Sequence, residues 1–169
     1  MNQLATQGDL LLAHPRMSDP HFAGSVVLLV EHGEDGAFGL VLNKPYELLV
    51  NEEGVKPPFV FHGGPVDSES IWGVSTQEGN ETRKVLEGVH WGNGEQVAGA
   101  GKNRLFLGYS GWDPGQLERE LVEDVWIVVP ATPTLVFDCT PESLWARLVS
   151  ETSAEFAWVK SLSGDSKQN

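Results

Sequence analysis

The sequence predicts a single domain of the α+β class. Three observations carry this: β-branched and apolar runs crowd the first half, two well-signalled helices fall among late strands, and no linker or repeat divides the chain. At 169 residues the chain is one domain's worth, long enough to withdraw roughly 70% of its unfolded surface from water. The reading places that domain over residues 1–162 and a polar, frayed tail over 163–169.

The run Gly8 to Ala13 (GDLLLA) reads as a short buried strand, and a loop from His14 to Pro20 follows it. Ser25 to Glu31 and Ala37 to Leu42 are apolar, β-branched runs joined by the polar stretch His32 to Gly36, which predicts an antiparallel hairpin. Asn43 to Pro58 holds two adjacent acids, Glu52 and Glu53, and three prolines, and reads as a surface excursion. Strands resume at Phe59 to Phe61 and Ser70 to Ser75 around the turn His62 to Asp67, with a loop at Gln77 to Arg83 and a further strand pair within Val85 to Trp91. The glycines between Gly92 and Gly101 predict a flexible loop before a strand at Leu105 to Tyr109.

The first helix is signalled by Asp113 as N-cap, Pro114 at the first helical position and Gln116 completing a capping box, with Leu117, Leu121 and Val122 as its apolar stripe. Trp126 to Val129 and Leu135 to Phe137 read as buried strands. Thr140, Pro141 and Glu142 then repeat the cap, proline and acid pattern before a second helix with Leu144, Trp145, Leu148 and Val149 on one side.

Composition excludes several functions. The 24 acidic residues outnumber the 11 basic ones, giving a net charge of −13 that repels nucleic acid and anionic lipid. Lysines and arginines are scattered, Arg83 and Lys84 being the only adjacent pair, so direct nucleic acid binding is not expected. Cys139 is the only cysteine, which fits a reducing compartment and a thiol that packs. Met1 to Gln7 lacks a basic signal region and Leu10 to Ala13 is too short to span a membrane, so a cytoplasmic protein with no membrane partner is expected.

Motifs for chemistry are weak. Ser110, in Gly108-Tyr109-Ser110-Gly111-Trp112, resembles a nucleophile elbow, but Trp112 stands where that motif needs glycine, and a tight turn explains the same residues. Ala100 to Asn103 fails as a phosphate loop because Gln96 replaces its first glycine and Asn103 its hydroxyl. The five histidines, His14, His21, His32, His62 and His90, show no metal-ligand spacing, so neither metal nor cofactor is expected. His62-Gly63-Gly64-Pro65 is the most suggestive turn, either a plain strand connection or a place where backbone amides meet a ligand. Of the six tryptophans, Trp126 and Trp145 are expected in the core, and Trp91 and Trp112, beside glycines, are the expected exposed pair.

Taken together, Asp19-Pro20-x-Phe22, Ser25-Val26-Val27, Glu31-His32, Gly36-Ala37-x-Gly39 and Asn43-Lys44-Pro45 resemble the AlgH/YqgE family. The match continues with Gly63-Gly64-Pro65-Val66, Gly88-Val89-His90-Trp91-Gly92, Leu107 through Trp112, Gly115-Gln116-Leu117-Glu118-x-Glu120-Leu121, Trp126, Pro130 and Trp145, nearly the whole chain. The resemblance implies a largely antiparallel, bifurcated sheet curled into a pseudo-barrel with helices packed on it, in a bacterial cytosolic protein. Family members carry the label of transcriptional regulator through a genetic link to alginate production, which names no mechanism.

The sequence thus favours a non-catalytic binding or regulatory module acting through a protein partner or a small ligand. A hydrolase using Ser110 and a direct DNA-binding regulator are the alternatives, the latter opposed by charge. Loop chemistry and the family motifs together nominate Asn43, Lys44, His62, Gly63, Gly64, Tyr109, Ser110 and Trp112 as the ligand-binding set.

Overall fold

A computed structural model describes residues 4–55, 58–97, 101–138 and 140–159. Cys139 and the tail beyond Leu162 lie outside these described residues, as does the proposed domain boundary. The strands are β1 (Asp9–Ala13), β2 (Val26–Gly33), β3 (Gly36–Val41), β4 (Val50–Asn51), β5 (Gly54–Val55), β6 (Val60–His62), β7 (Val66–Ser75), β8 (Arg83–Leu86), β9 (Val89–Asn93), β10 (Asn103–Trp112) and β11 (Trp126–Pro130). The helices are α1 (Gly94–Val97), α2 (Gln116–Val122), α3 (Pro133–Phe137) and α4 (Pro141–Thr152).

Among the described residues nine strands make one sheet in the order β11-β1-β2-β3-β10-β7-β9-β8, with β6 also on β10. All pairings but β6 with β10 are antiparallel. The long strand β10 is where the sheet forks. β7 follows it from Asn103 to Tyr109, while β6 pairs with Leu105 to Leu107 and β3 with Ser110 to Trp112.

Strand alternation sorts the apolar residues onto two faces. Leu10, Leu12, Val26, Leu28, Val30 and Leu40 enter an inner core with Val74, Val89 and Phe106 from the other arm of the fork, covered by Val136 and Phe137 of α3 and Leu144, Leu148 and Val149 of α4. Leu11, Ala13, Val27, Leu29 and Val41 enter a second core beneath Leu117 and Leu121 of α2. The sheet therefore curls around its inner core, but it does not close: β11 and β8 remain its two ends. Gln7 spans the gap, its side-chain amide donating to the carbonyls of Lys84 (2.9 Å) and Val85 (3.4 Å).

The β2–β3 hairpin forms as expected, with a tighter turn: the strands run on to Gly33 and from Gly36, leaving Glu34 and Asp35 between them. Gly36 has φ 118°, and a Cβ there would overlap the carbonyl of Trp112.

Four expectations are corrected. Leu135 to Phe137 is helical, because Thr132 Oγ1 accepts the Leu135 N–H at 3.2 Å and Pro133 opens α3. In α2 only half of the capping box forms. Gln116 Oε1 accepts the Asp113 N–H at 3.0 Å, but Gly115 is the N-cap, and Val122 at the far end is exposed rather than part of the stripe. The glycine loop before β10 includes the short helix α1, opened by Asn93 Oδ1 accepting the Glu95 N–H at 2.9 Å. Trp91 and Trp112 are buried at 8% and 6% exposure, whereas Trp158 is 53% exposed.

Candidate functional site

Six of the eight nominated residues meet where the sheet forks, through their backbones. Lys44 C=O accepts the His62 N–H at 2.7 Å, Gly63 N–H donates to Leu107 C=O at 2.8 Å, and Gly63 C=O accepts from Val41 N–H at 2.9 Å. The glycines permit this crossing: a Cβ on Gly63 would lie 2.5 Å from the Gly108 carbonyl oxygen, and one on Gly64 would overlap the backbone of Tyr109 and Ser110.

The side chains here hold loops together. Asn43 accepts the Val26 N–H through Oδ1 and donates through Nδ2 to Gly24 C=O, each at 2.9 Å. Lys44 Nζ donates to His21 C=O, and burial lowers its pKa while Asp19 opposes the shift. His62 Nε2 lies 2.7 Å from Glu47, whose carboxyl the hydrogen bond holds below the usual range. Ser110 is fully buried in strand β10 and its hydroxyl donates to Gly63 C=O at 3.1 Å. The hydrolase reading needs an accessible serine, and here the Ser110 hydroxyl is buried and donates to a backbone carbonyl.

Trp112 departs to the second core. Its indole N–H donates to Glu120 Oε1 at 2.9 Å, the same oxygen that accepts from Trp126 at 2.8 Å, while Gln116 donates to Glu120 Oε2 at 2.9 Å.

Tyr109 points the other way and joins a ring cluster absent from the nominated set. It stacks on Phe38 with centroids 4.3 Å apart and planes at 13°. Phe38 in turn meets Trp72 at 5.2 Å and Trp91 at 4.9 Å, and the two indoles meet at 5.5 Å. Register explains the gathering: Phe38 shares a strand face with Leu40, Trp72 with Val74 and Trp91 with Val89, all facing the inner core.

α4 covers the Ala13 end of that core, where Trp145 donates to Ala13 C=O at 2.9 Å. The rings occupy the mouth near the β2–β3 turn, with Phe38, Trp72 and Tyr109 each partly exposed. Two hollows flank Trp91, one of about 290 Å³ bounded by Trp72, Glu81 and Asn93, the other of about 470 Å³ bounded by His32, Glu34 and Lys84. Glu31 and Arg83, paired at 2.9 Å, border both. The Trp91 indole N–H is buried without a hydrogen-bond partner among the described residues.

The period-2 pattern of the strands signals that these rings face inward; which strands pair, and so which rings meet, does not show in the sequence. Among the described residues no group of three or more His, Cys, Asp or Glu could hold a metal ion, and no helix is long and apolar enough to cross a membrane.

A forked, open, curled sheet with helices on both faces and an aromatic mouth defines the structural class. The chain matches the AlgH-like family, DUF179, over residues 10–157, and it belongs to that family. It is 38% identical over 185 residues to a UPF0301 protein of Streptomyces avermitilis, covering 96% of this chain and 94% of the relative. The solution structure of the AlgH protein from Pseudomonas aeruginosa aligns with a TM-score of 0.69 at 31% identity, covering 90% of this chain and 93% of that one. The crystal structure of protein DIP2367 from Corynebacterium diphtheriae shares the fold, with a TM-score of 0.74 at 24% identity over 95% and 94% of the two chains. None of these names states an activity.

Proposed function

We propose that the protein is a non-catalytic binding module whose recognition element is the aromatic mouth, which takes a small ligand bearing a flat apolar face. The carrying observation is the ring cluster itself: four aromatics packed together, three of them partly exposed, near the β2–β3 turn. Folding alone buries such rings; holding them together at a mouth is how ligand sites in curled sheets are built, with apolar walls and a few fixed polar groups. Glu31, Arg83 and the Trp91 N–H supply those polar groups. A net charge of −13 opposes direct contact with DNA, so any regulatory role runs through the ligand or a protein partner.

The test is a metabolite screen read by the six indole N–H signals in two-dimensional NMR. A ligand that moves the Trp72 and Trp91 signals and loses at least tenfold affinity in Trp72→Ala supports the proposal. A screen that moves neither signal, or binding unchanged in that variant, refutes it.

A further inference from the structure

A hollow of about 700 Å³ lies at the opposite end of β10 from Tyr109, and its walls include Pro58, Phe59, Lys102, Arg104, Phe137 and Asp138. Its cations differ in one respect. Lys102 is paired with Asp138 at 2.8 Å, but Arg104 has no carboxylate within ion-pair distance among the described residues. The Arg104 guanidinium lies 4.1 Å above the Phe59 ring and 5.8 Å from that of Phe61, and it donates to the Phe137 carbonyl. That leaves most of its five N–H donors free. Burial lowers the pKa of this group, and the charge of Asp138 only partly opposes the shift.

A half-buried guanidinium with only a carbonyl for a partner is an incomplete arrangement, because charge withdrawn from water calls for a counter-charge. The Phe59 ring and the Phe137 carbonyl hold the guanidinium in place, and a guanidinium fork is suited to two parallel bonds to a carboxylate or phosphate. Beyond the head group, Phe59, Phe137 and Pro58 offer an apolar wall. In a chain of net charge −13, two cations facing one acid make a local exception.

We propose that this hollow binds a small amphipathic organic anion, its carboxylate or phosphate held by Arg104 and its apolar body lying against Phe59 and Phe137. Lys102, beside it, adds attraction without the bidentate geometry. The site shares no lining residue with the aromatic mouth and stands or falls independently of it.

The test is isothermal titration calorimetry of the full chain with octanoate, hexyl phosphate and the uncharged octanamide. At least one anion is expected to bind at least tenfold more tightly than octanamide, and comparing the two identifies the preferred head group. Arg104→Leu should abolish that preference. Arg104→Lys, which keeps the charge and loses the fork, should retain part of it, and circular dichroism checks that both variants fold. Binding of neither anion, equal binding of octanamide, or an anion preference surviving in folded Arg104→Leu would each overturn the proposal.

Discussion

Replacing Gly64 by alanine tests whether the fork of the sheet depends on a backbone crossing. The new Cβ would overlap the carbonyl carbon and oxygen of Tyr109 and the nitrogen of Ser110. These are main-chain atoms of β10, paired on both sides, and no rotamer change can move them. Overpacking of this kind costs about 1–3 kcal/mol. Displacing the segment also strains the Gly63 N–H to Leu107 bond and the Ser110 hydroxyl bond, each contributing about 1 kcal/mol.

The expected loss is therefore at least about 3–5 kcal/mol before any cost of the positive φ at Gly64, a large share of an ordinary domain's stability. Gly24→Ala is the control, since Gly24 also has positive φ, 70°, but nothing lies within 4 Å of its Cβ position. It should lose only the backbone cost of about 1–2 kcal/mol. Guanidinium unfolding at constant slope measures both, and heat should show Gly64→Ala melting about 6–20 °C lower than the parent. If Gly64→Ala is no less stable than Gly24→Ala, the crossing is not the constraint described.

Two further outcomes follow from the same contacts. Glu120→Ala removes the acceptor of two mostly buried indole N–H groups and should cost about 2–4 kcal/mol, whereas Glu120→Gln, which retains an acceptor oxygen, should cost about half as much; thermal melts compare them. The Glu47 carboxyl should titrate below its ordinary 4.5 because His62 hydrogen-bonds to it. A lowered carboxyl pKa contributes stability that is present above the ordinary value and lost as pH falls through the lowered one. In His62→Ala the Glu47 midpoint, followed by carboxyl NMR, should rise back toward 4.5, while overall stability changes little because the pair is exposed.

The hairpin and α4 were legible because local pattern and tertiary need agree there: alternating apolar runs joined by a short polar turn, and a proline-led cap before an apolar stripe. α3 was not, because Leu135 to Phe137 read alone is an apolar strand. The Thr132-Pro133 start that makes it a helix lies just outside that window.

The misplaced tryptophans are more instructive. Glycine beside Trp112 read as exposure, yet in space Gly39 lets the indole in: a Cβ there would lie 3.1 Å from Trp112 Cζ3 and 3.2 Å from Leu28 C=O. Glycines near an aromatic can thus signal a seat for the ring. The nominated turns do converge, as the motifs suggested, but the sequence could not distinguish backbone meeting backbone from backbone meeting ligand.

The open seam ties the fold to both proposals. β8 is four residues long, with a register shift between Lys84 and Leu86, and among the described residues it does not pair with β11, the other end of the sheet, to complete a barrel. Side chains bridge the seam instead: Gln7 on the Lys84 and Val85 carbonyls, and Arg83 on Glu31. Charged residues on an edge discourage another chain from pairing there, so the sheet can stay open without inviting aggregation. The rings gather on the neighbouring strands β3, β10, β7 and β9, and β10 brings Tyr109 to that cluster and Arg104 to the hollow at its other end. The residues that make the fork are therefore constrained by the crossing, and the same strand carries one residue of each proposed site, Tyr109 and Arg104.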